Sequence, residues 1–108
     1  MANFFWEFEG VQGFFVATIP PADRNGFAEI NRNSTIVASI TEIIIPPGSV
    51  IGSLDNIPFI GDADVMQVLN ISPQDGDDPQ HPGGRVRMSI STNWLNGPIN
   101  IRINFAVL

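Results

Sequence analysis

A chain of 108 residues is long enough to bury one hydrophobic core. It has no cysteine, which excludes disulfides, iron–sulfur clusters and thiol catalysis. Its formal net charge is −6, from 11 carboxylates against five arginines and no lysine, which disfavours nucleic acid and anionic membranes as partners. The missing lysines also exclude Schiff-base chemistry and Walker-type phosphate binding.

Neither a signal peptide nor a membrane-spanning helix is predicted. The first residues lack the basic and long apolar regions of a signal peptide, and no run approaches the roughly eighteen apolar residues that a spanning helix needs. We therefore expect no membrane insertion, and the sequence leaves the cellular location open.

Short strands, rather than long helices, are predicted along the chain because nine prolines and ten glycines interrupt it. Alternating apolar residues predict strands over 4–8 and 12–19, which can pair as a hairpin, and the ambiguous segment 27–30 allows one helical turn at most. A long strand is predicted over 34–45, where residues 43–45 are apolar on both faces.

The second half of the chain continues this pattern. Two brief apolar runs, 50–51 and 57–60, are typical of short strands or edge pieces. A further strand is predicted over 63–71 because its neighbours are strands, although its length would also permit two helical turns. The most polar segment, 72–84, is predicted to be a loop. About seven to nine strands at regular spacing indicate one all-β domain over 1–108, a two-sheet antiparallel sandwich of jelly-roll type.

The C-terminal segment Val86–Leu108 carries the clearest alternation. Apolar side chains recur at every second residue from Val86 to Trp94 and again from Ile99 to Val107. If the residues between these two runs form the loop, apolar residues face each other at nearly every pair. A C-terminal β-hairpin is therefore predicted.

The polar face of that predicted hairpin is the first candidate binding site. Its asparagines and arginines can hydrogen-bond hydroxyl groups, and a tryptophan beside the loop can stack on a sugar ring. The candidate ligand-binding residues are Arg87, Asn93, Trp94, Asn100 and Arg102. They predict a carbohydrate or another polar ligand. The alternatives are a solvated sheet face, a subunit contact, and a tryptophan that belongs to the core.

An acidic string in the polar loop is the candidate metal site. Asp75, Asp77 and Asp78 supply three carboxylates within four residues, and carboxylate oxygens are the ligands that Ca²⁺ prefers. Asp62 and Asp64 supply a second pair, although neither group has the spacing of an EF-hand. The alternative is a solvated turn in which aspartates accept hydrogen bonds from backbone amides. No other cofactor is expected.

Catalytic machinery is not predicted. The one histidine, His81, lies in the polar loop, and the sequence contains no G-x-S-x-G nucleophile motif. A glycosidase-like carboxylate pair needs one member in an apolar pocket, and Glu42, in the long strand, is the carboxylate whose position suggests burial. We therefore expect a protein that is not an enzyme.

Aromatic residues crowd the first fifteen positions on both faces of the two predicted strands, which favours self-association. Phe5 and Phe15, together with residues 43–45, indicate that another subunit covers one sheet. Two functions follow as hypotheses. The first is a non-catalytic, lectin-like binding module for a polar ligand, and the alternative is a structural subunit that assembles through its aromatic N-terminal strands.

Overall fold

A computed structural model describes residues 2–19, 30–60, 66–76, 84–92 and 97–108, and these residues form seven β-strands. The strands are β1 (Ala2–Val11), β2 (Phe14–Ile19), β3 (Ile36–Ile44), β4 (Ile57–Phe59), β5 (Met66–Gln74), β6 (Arg85–Thr92) and β7 (Ile99–Val107). Sheet A has the order β1-β7-β3-β4 and sheet B the order β2-β6-β5, and every pair is antiparallel. Within the described ranges no helix has the length and apolar character needed to cross a membrane.

The predicted all-β sandwich of two antiparallel sheets is confirmed. In sheet A the first strand pairs with the last, and in sheet B the second strand pairs with the last but one. This wrapping order is typical of a jelly roll. The long strand predicted over 34–45 is present as β3, whereas the helical turn predicted over 27–30 lies outside the described residues except for Ile30, which is buried.

The core lies between the inner faces of β6 and β7, the central strands of the two sheets. Its fully buried side chains are Val86, Met88 and Ile90 from β6, Ile101, Ile103 and Phe105 from β7, and Ile19 and Ile30. The Phe4 ring stacks on Phe105 with centroids 4.6 Å apart, which joins β1 to the same core. Burial of each large apolar side chain stabilises the fold by about 1.5–3 kcal/mol, so these residues dominate its stability.

The predicted C-terminal hairpin is wrong, because β6 and β7 lie in different sheets. β6 is hydrogen-bonded to β2 and β5, and β7 to β1 and β3. Two strands that face each other across a core show the same alternation as two strands that pair within one sheet. The alternation therefore identified the inward side chains correctly, but it did not identify the hydrogen-bonded partners. The hairpin predicted as possible between the first two strands is also absent, because β1 and β2 belong to different sheets.

The aromatic residues of the N-terminal strands are divided between the two sheets, because β1 and β2 belong to different sheets. Phe15 lies on the inner face of β2 and packs edge-on against Phe8, with ring centroids 5.6 Å apart. Phe5 lies on the outer face of sheet A beneath the Arg102 guanidinium, which is 4.6 Å from the ring centroid. Both rings are half-buried by this chain itself, and self-association through these strands stays a prediction. The exposed aromatic of these strands is Phe14.

Candidate functional site

The outer face of sheet B is a three-stranded surface on which polar side chains predominate, and we call it the polar face. Its polar residues are Thr18 from β2, Gln67, Asn70, Ser72 and Gln74 from β5, and Arg85, Arg87, Ser89 and Ser91 from β6. Phe14 and Val16 complete it along β2. Side chains of one strand reach the same face at every second residue, so the alternation that buries Met88 and Ile90 turns their neighbours outward.

The register aligns these side chains in rows across the three strands. Phe14 lies opposite Ser91, which lies opposite Gln67, and Val16, Ser89 and Asn70 form the next row. A third row joins Thr18, Arg87 and Ser72. Strand spacing and rise make this surface about 10 Å wide and about 20 Å long.

A β-bulge in β5 completes the polar face. The register shifts between Val68, which is opposite Ile90, and Asn70, which is opposite Ser89. Unbroken alternation would place Asn70 on the same face as Val68. Because of the shift, the side chain of Ile71 points to the core instead. The outward side chains are those of Asn70, Ser72 and Gln74. The sequence prediction of a straight strand over 63–71 followed by a loop missed this, because the phase of alternation changes at Leu69. β5 consequently runs on to Gln74.

The charge and exposure of the polar face distinguish it from the rest of this acidic chain. None of its described residues is a carboxylate, although the chain has 11, and its two charged residues are Arg85 and Arg87. Arg87 is exposed, and Phe14 at the other end of the face is 64% exposed. An aromatic ring and a guanidinium thus flank a strip of hydroxyl and amide groups.

The residues predicted as one ligand site are separated by the structure. Arg87 lies on the polar face of sheet B, whereas Asn100 and Arg102 lie on the outer face of sheet A. The predicted hairpin would bring all three residues onto one face, whereas β6 and β7 belong to different sheets. Asn93 and Trp94 lie outside the described residues. The Asn100 side chain accepts a hydrogen bond from the Gly10 amide at 2.9 Å, so it holds the end of β1.

Arg102 belongs to a buried ionic cluster, which consists of Glu7, Asn56 and Arg102. The Arg102 Nε donates to Glu7 Oε2 at 2.7 Å, and its Nη2 donates to the Asn56 carbonyl at 3.1 Å. Glu7 Oε1 accepts from the Gly52 amide at 2.6 Å and from Asn56 Nδ2 at 2.7 Å. The side chains of Glu7 and Arg102 are 0% and 12% exposed. The cluster fastens the segment 46–56 onto sheet A, and we assign Arg102 a structural role.

The burial of Glu7 was not predicted from the sequence. Glu7 alternates with the core residues Trp6 and Phe8, a pattern that is typical of a solvated side chain, whereas Glu42 is the carboxylate whose sequence position suggests burial. Glu42 is half-buried in the structure, and Glu7 is completely buried. The donors to Glu7 Oε1 are more than forty residues away in the chain, and local alternation carries no sign of them.

The candidate calcium site is described only in part. Asp75 is exposed, its Oδ1 accepts a hydrogen bond from the Arg32 amide at 2.9 Å, and its Oδ2 lies 3.5 Å from Arg32 Nε. Asp77 and Asp78 lie outside the described residues, as do Asp62 and Asp64. No group of three potential metal ligands is found in the part of the chain that the structure describes. Calcium binding therefore stays a prediction.

A second candidate surface is a groove of about 390 Å³ on the outer face of sheet A. Its outward-facing polar side chains are Asn3, Ser39 and Asn104, and Phe5 and Val37 supply apolar surface. No charged residue lines it. The groove therefore has fewer hydrogen-bonding side chains than the polar face of sheet B, and it has no charged side chain.

Comparisons of the chain with protein-family models, with curated proteins and with solved structures find no match.

Proposed function

We propose that this protein is a non-catalytic binding module that recognises a hydroxyl-rich ligand, such as a carbohydrate, on the polar face of sheet B. The observation that carries this proposal is a pair of neighbouring rows of side chains on this face. Phe14, Ser91 and Gln67 lie side by side in one row, and Ser89 lies at the centre of the next. The two rows combine an exposed apolar ring with closely spaced hydrogen-bonding groups.

The chemistry of the polar face suits such a ligand. Serine and threonine hydroxyls and asparagine and glutamine amides both donate and accept hydrogen bonds, as sugar hydroxyls do. The exposed Phe14 ring offers a planar apolar surface on which the C–H side of a sugar ring can pack. Arg87 adds a donor that also accommodates an acidic sugar, because no carboxylate on the described face opposes it.

The position of these groups on a sheet also favours binding over catalysis. Side chains on paired strands are held by the backbone ladder and by the core beneath them, so little conformational entropy is lost when a ligand binds. General acid–base catalysis needs a titratable group near the substrate. The described polar face has neither a carboxylate nor a histidine, which supports a module without an enzymatic activity.

Substituting Phe14 or Arg87 with alanine is expected to weaken ligand binding by about fivefold or more, since an anchoring contact of this kind contributes over 1 kcal/mol. The ligand is first identified on a printed glycan array, and the strongest glycan is then titrated by calorimetry. Thermal unfolding of each variant checks that the fold is retained.

Val37→Ala is the matched control, because Val37 is 55% exposed on the outer face of sheet A. This control is expected to bind as the unsubstituted protein does. Binding that persists in Phe14→Ala and Arg87→Ala, or that is lost in Val37→Ala, would show that the ligand lies elsewhere. The absence of any signal on the array would count against carbohydrate as the ligand class.

A further inference from the structure

Arg87 lies between two hydroxyl side chains on the polar face. The register places Thr18 of β2 on one side of it and Ser72 of β5 on the other, and all three residues are exposed. We call them the arginine row. Neighbouring strands are about 4.8 Å apart, so both hydroxyl groups lie close to any small group that the guanidinium binds. A planar fork of N–H donors with a hydroxyl donor on either side is an arrangement that suits a carboxylate.

The charges near the arginine row favour an anion, although the chain as a whole is acidic. Arg85 lies one row further along β6, opposite Gln74. Asp75, which follows β5, accepts a hydrogen bond from the Arg32 amide at 2.9 Å, and its other oxygen lies 3.5 Å from Arg32 Nε. The charge of Asp75 is therefore offset by a neighbouring arginine.

The other described carboxylate side chains lie on sheet A or in the loop before β4, across the core from the polar face. Two packed sheets are about 10 Å apart, and exposed charges at that distance are largely screened at physiological salt, where the screening length is about 8 Å. Among the described residues, the adjacent Arg87 therefore has more effect on an anion bound to this face than these carboxylates have.

The distance between the arginine row and the exposed ring of Phe14 sets the length of the ligand. Phe14 and Thr18 lie on the same face of β2, four residues apart, which at a rise of about 3.4 Å per residue is about 14 Å. That span is longer than one sugar ring. The row between them, Val16, Ser89 and Asn70, offers a hydroxyl and an amide to the part of a ligand that joins the two ends. A ligand that contacts both ends is therefore a short oligosaccharide.

We propose that the polar face binds an acidic oligosaccharide, whose carboxylate contacts the arginine row while another sugar unit of the same molecule packs on Phe14. This inference rests on the proposed function, because it assumes that the polar face binds carbohydrate. It adds two requirements, a negative charge and a minimum length. Arg87 selects for the charge, whereas Phe14 binds a sugar ring whatever the charge of the ligand.

A printed array of neutral and acidic glycans tests this inference if each acidic glycan, such as trigalacturonate or sialyllactose, is printed beside its uncharged methyl ester. Calorimetry then compares the strongest acidic glycan with its ester. The acid is expected to bind about fivefold more tightly, the size of effect that a hydrogen-bonded charge pair at a surface provides. Raising the salt from about 0.1 to 1 M is expected to remove most of this difference, because the screening length falls to about 3 Å.

Two variants separate the roles of the two ends. Arg87→Gln keeps hydrogen-bond donors but removes the charge, so it is expected to bind the acidic glycan no more tightly than the ester. Phe14→Ala is expected to weaken binding of the acid and of the ester by the same factor, which leaves their ratio unchanged. Val37→Ala, on the outer face of sheet A, is the control and is expected to change neither affinity.

The length requirement is checked with the single acidic sugar taken from the strongest glycan. It is expected to bind about tenfold more weakly than the oligosaccharide, because it cannot contact both ends, and Phe14→Ala is expected to leave its affinity unchanged.

The outcomes distinguish this inference from the function on which it rests. Equal affinities of the acidic glycan and its ester, or a preference for charge that Arg87→Gln leaves intact, would overturn the inference while carbohydrate binding stands. A single acidic sugar that binds as tightly as the oligosaccharide would overturn it as well. Binding of no glycan at all would overturn both the inference and the proposed function.

Discussion

Replacing Arg102 with alanine is expected to lower the free energy of unfolding by about 3–5 kcal/mol, because the change leaves the carboxylate of Glu7 buried without its cationic partner. The Glu7 side chain is completely buried, so its carboxylate loses the charge that offsets the cost of its desolvation. The change also removes the donor to the Asn56 carbonyl and the cation above the Phe5 ring. Urea unfolding at equilibrium, followed by tryptophan fluorescence, measures the difference.

Arg87→Ala serves as the matched control for Arg102→Ala. Arg87 is exposed on β6, and its removal is expected to change the free energy of unfolding by no more than about 0.5 kcal/mol. The double variant Glu7→Ala/Arg102→Ala is expected to lose less than the sum of the two single variants, because it buries no unpaired charge. A loss below about 1 kcal/mol in Arg102→Ala would mean that the cluster is solvated in solution and does not fasten segment 46–56.

Gly84→Ala is expected to lower the free energy of unfolding by about 3 kcal/mol or more, as an overpacked position does when backbone atoms must move. Gly84 is buried directly before β6, and a Cβ at this position would collide with the carbonyl oxygens of Gln74 and Ile30. Both obstacles are backbone, so no side-chain rotation can relieve the collision. Thermal and urea unfolding, together with the soluble yield, give the size of the effect.

Gly13→Ala separates this packing effect from ordinary backbone strain. Gly13 has a φ of 77° with nothing within 4 Å of an added Cβ, so alanine there carries only the strain of a left-handed conformation, about 1–2 kcal/mol. We expect Gly84→Ala to be clearly the more damaging of the two. Equal losses would contradict the close approach of three chain segments at Gly84.

The two central strands show how far the sequence predicts this fold. The alternation in β6 and β7 correctly identified Met88, Ile90, Ile101 and Ile103 as inward-facing, and the all-β sandwich followed from it. The pairing did not follow, because hydrogen bonds between strands leave no mark on the alternation of either strand. Pairing depends on the connections, and here both β1–β2 and β6–β7 cross from one sheet to the other.

The candidate site was predictable to a similar extent. Arg87 was identified because it alternates with the core residues of β6 and therefore faces away from them, and it does lie on the polar face. Asn70 on the neighbouring strand depends on the bulge at Leu69, and the remaining rows depend on β2, which the sequence placed beside β1. Burial of Glu7 required contacts with a distant loop. Each of these features arises from long-range pairing, which local patterns do not encode.

The place of β7 in sheet A has a consequence for the order in which the protein can form during synthesis. β7 lies between β1 and β3, so β1 has no main-chain partner and β3 is paired only with the short strand β4 until residues 99–107 have been made. Sheet B needs only residues up to Thr92. A growing chain can therefore assemble sheet B first, while β1 and β3 leave the ribosome with unpaired edges. Sheet A then closes in one late step when β7 inserts between them, and until that step these edges are open to aggregation or to a chaperone.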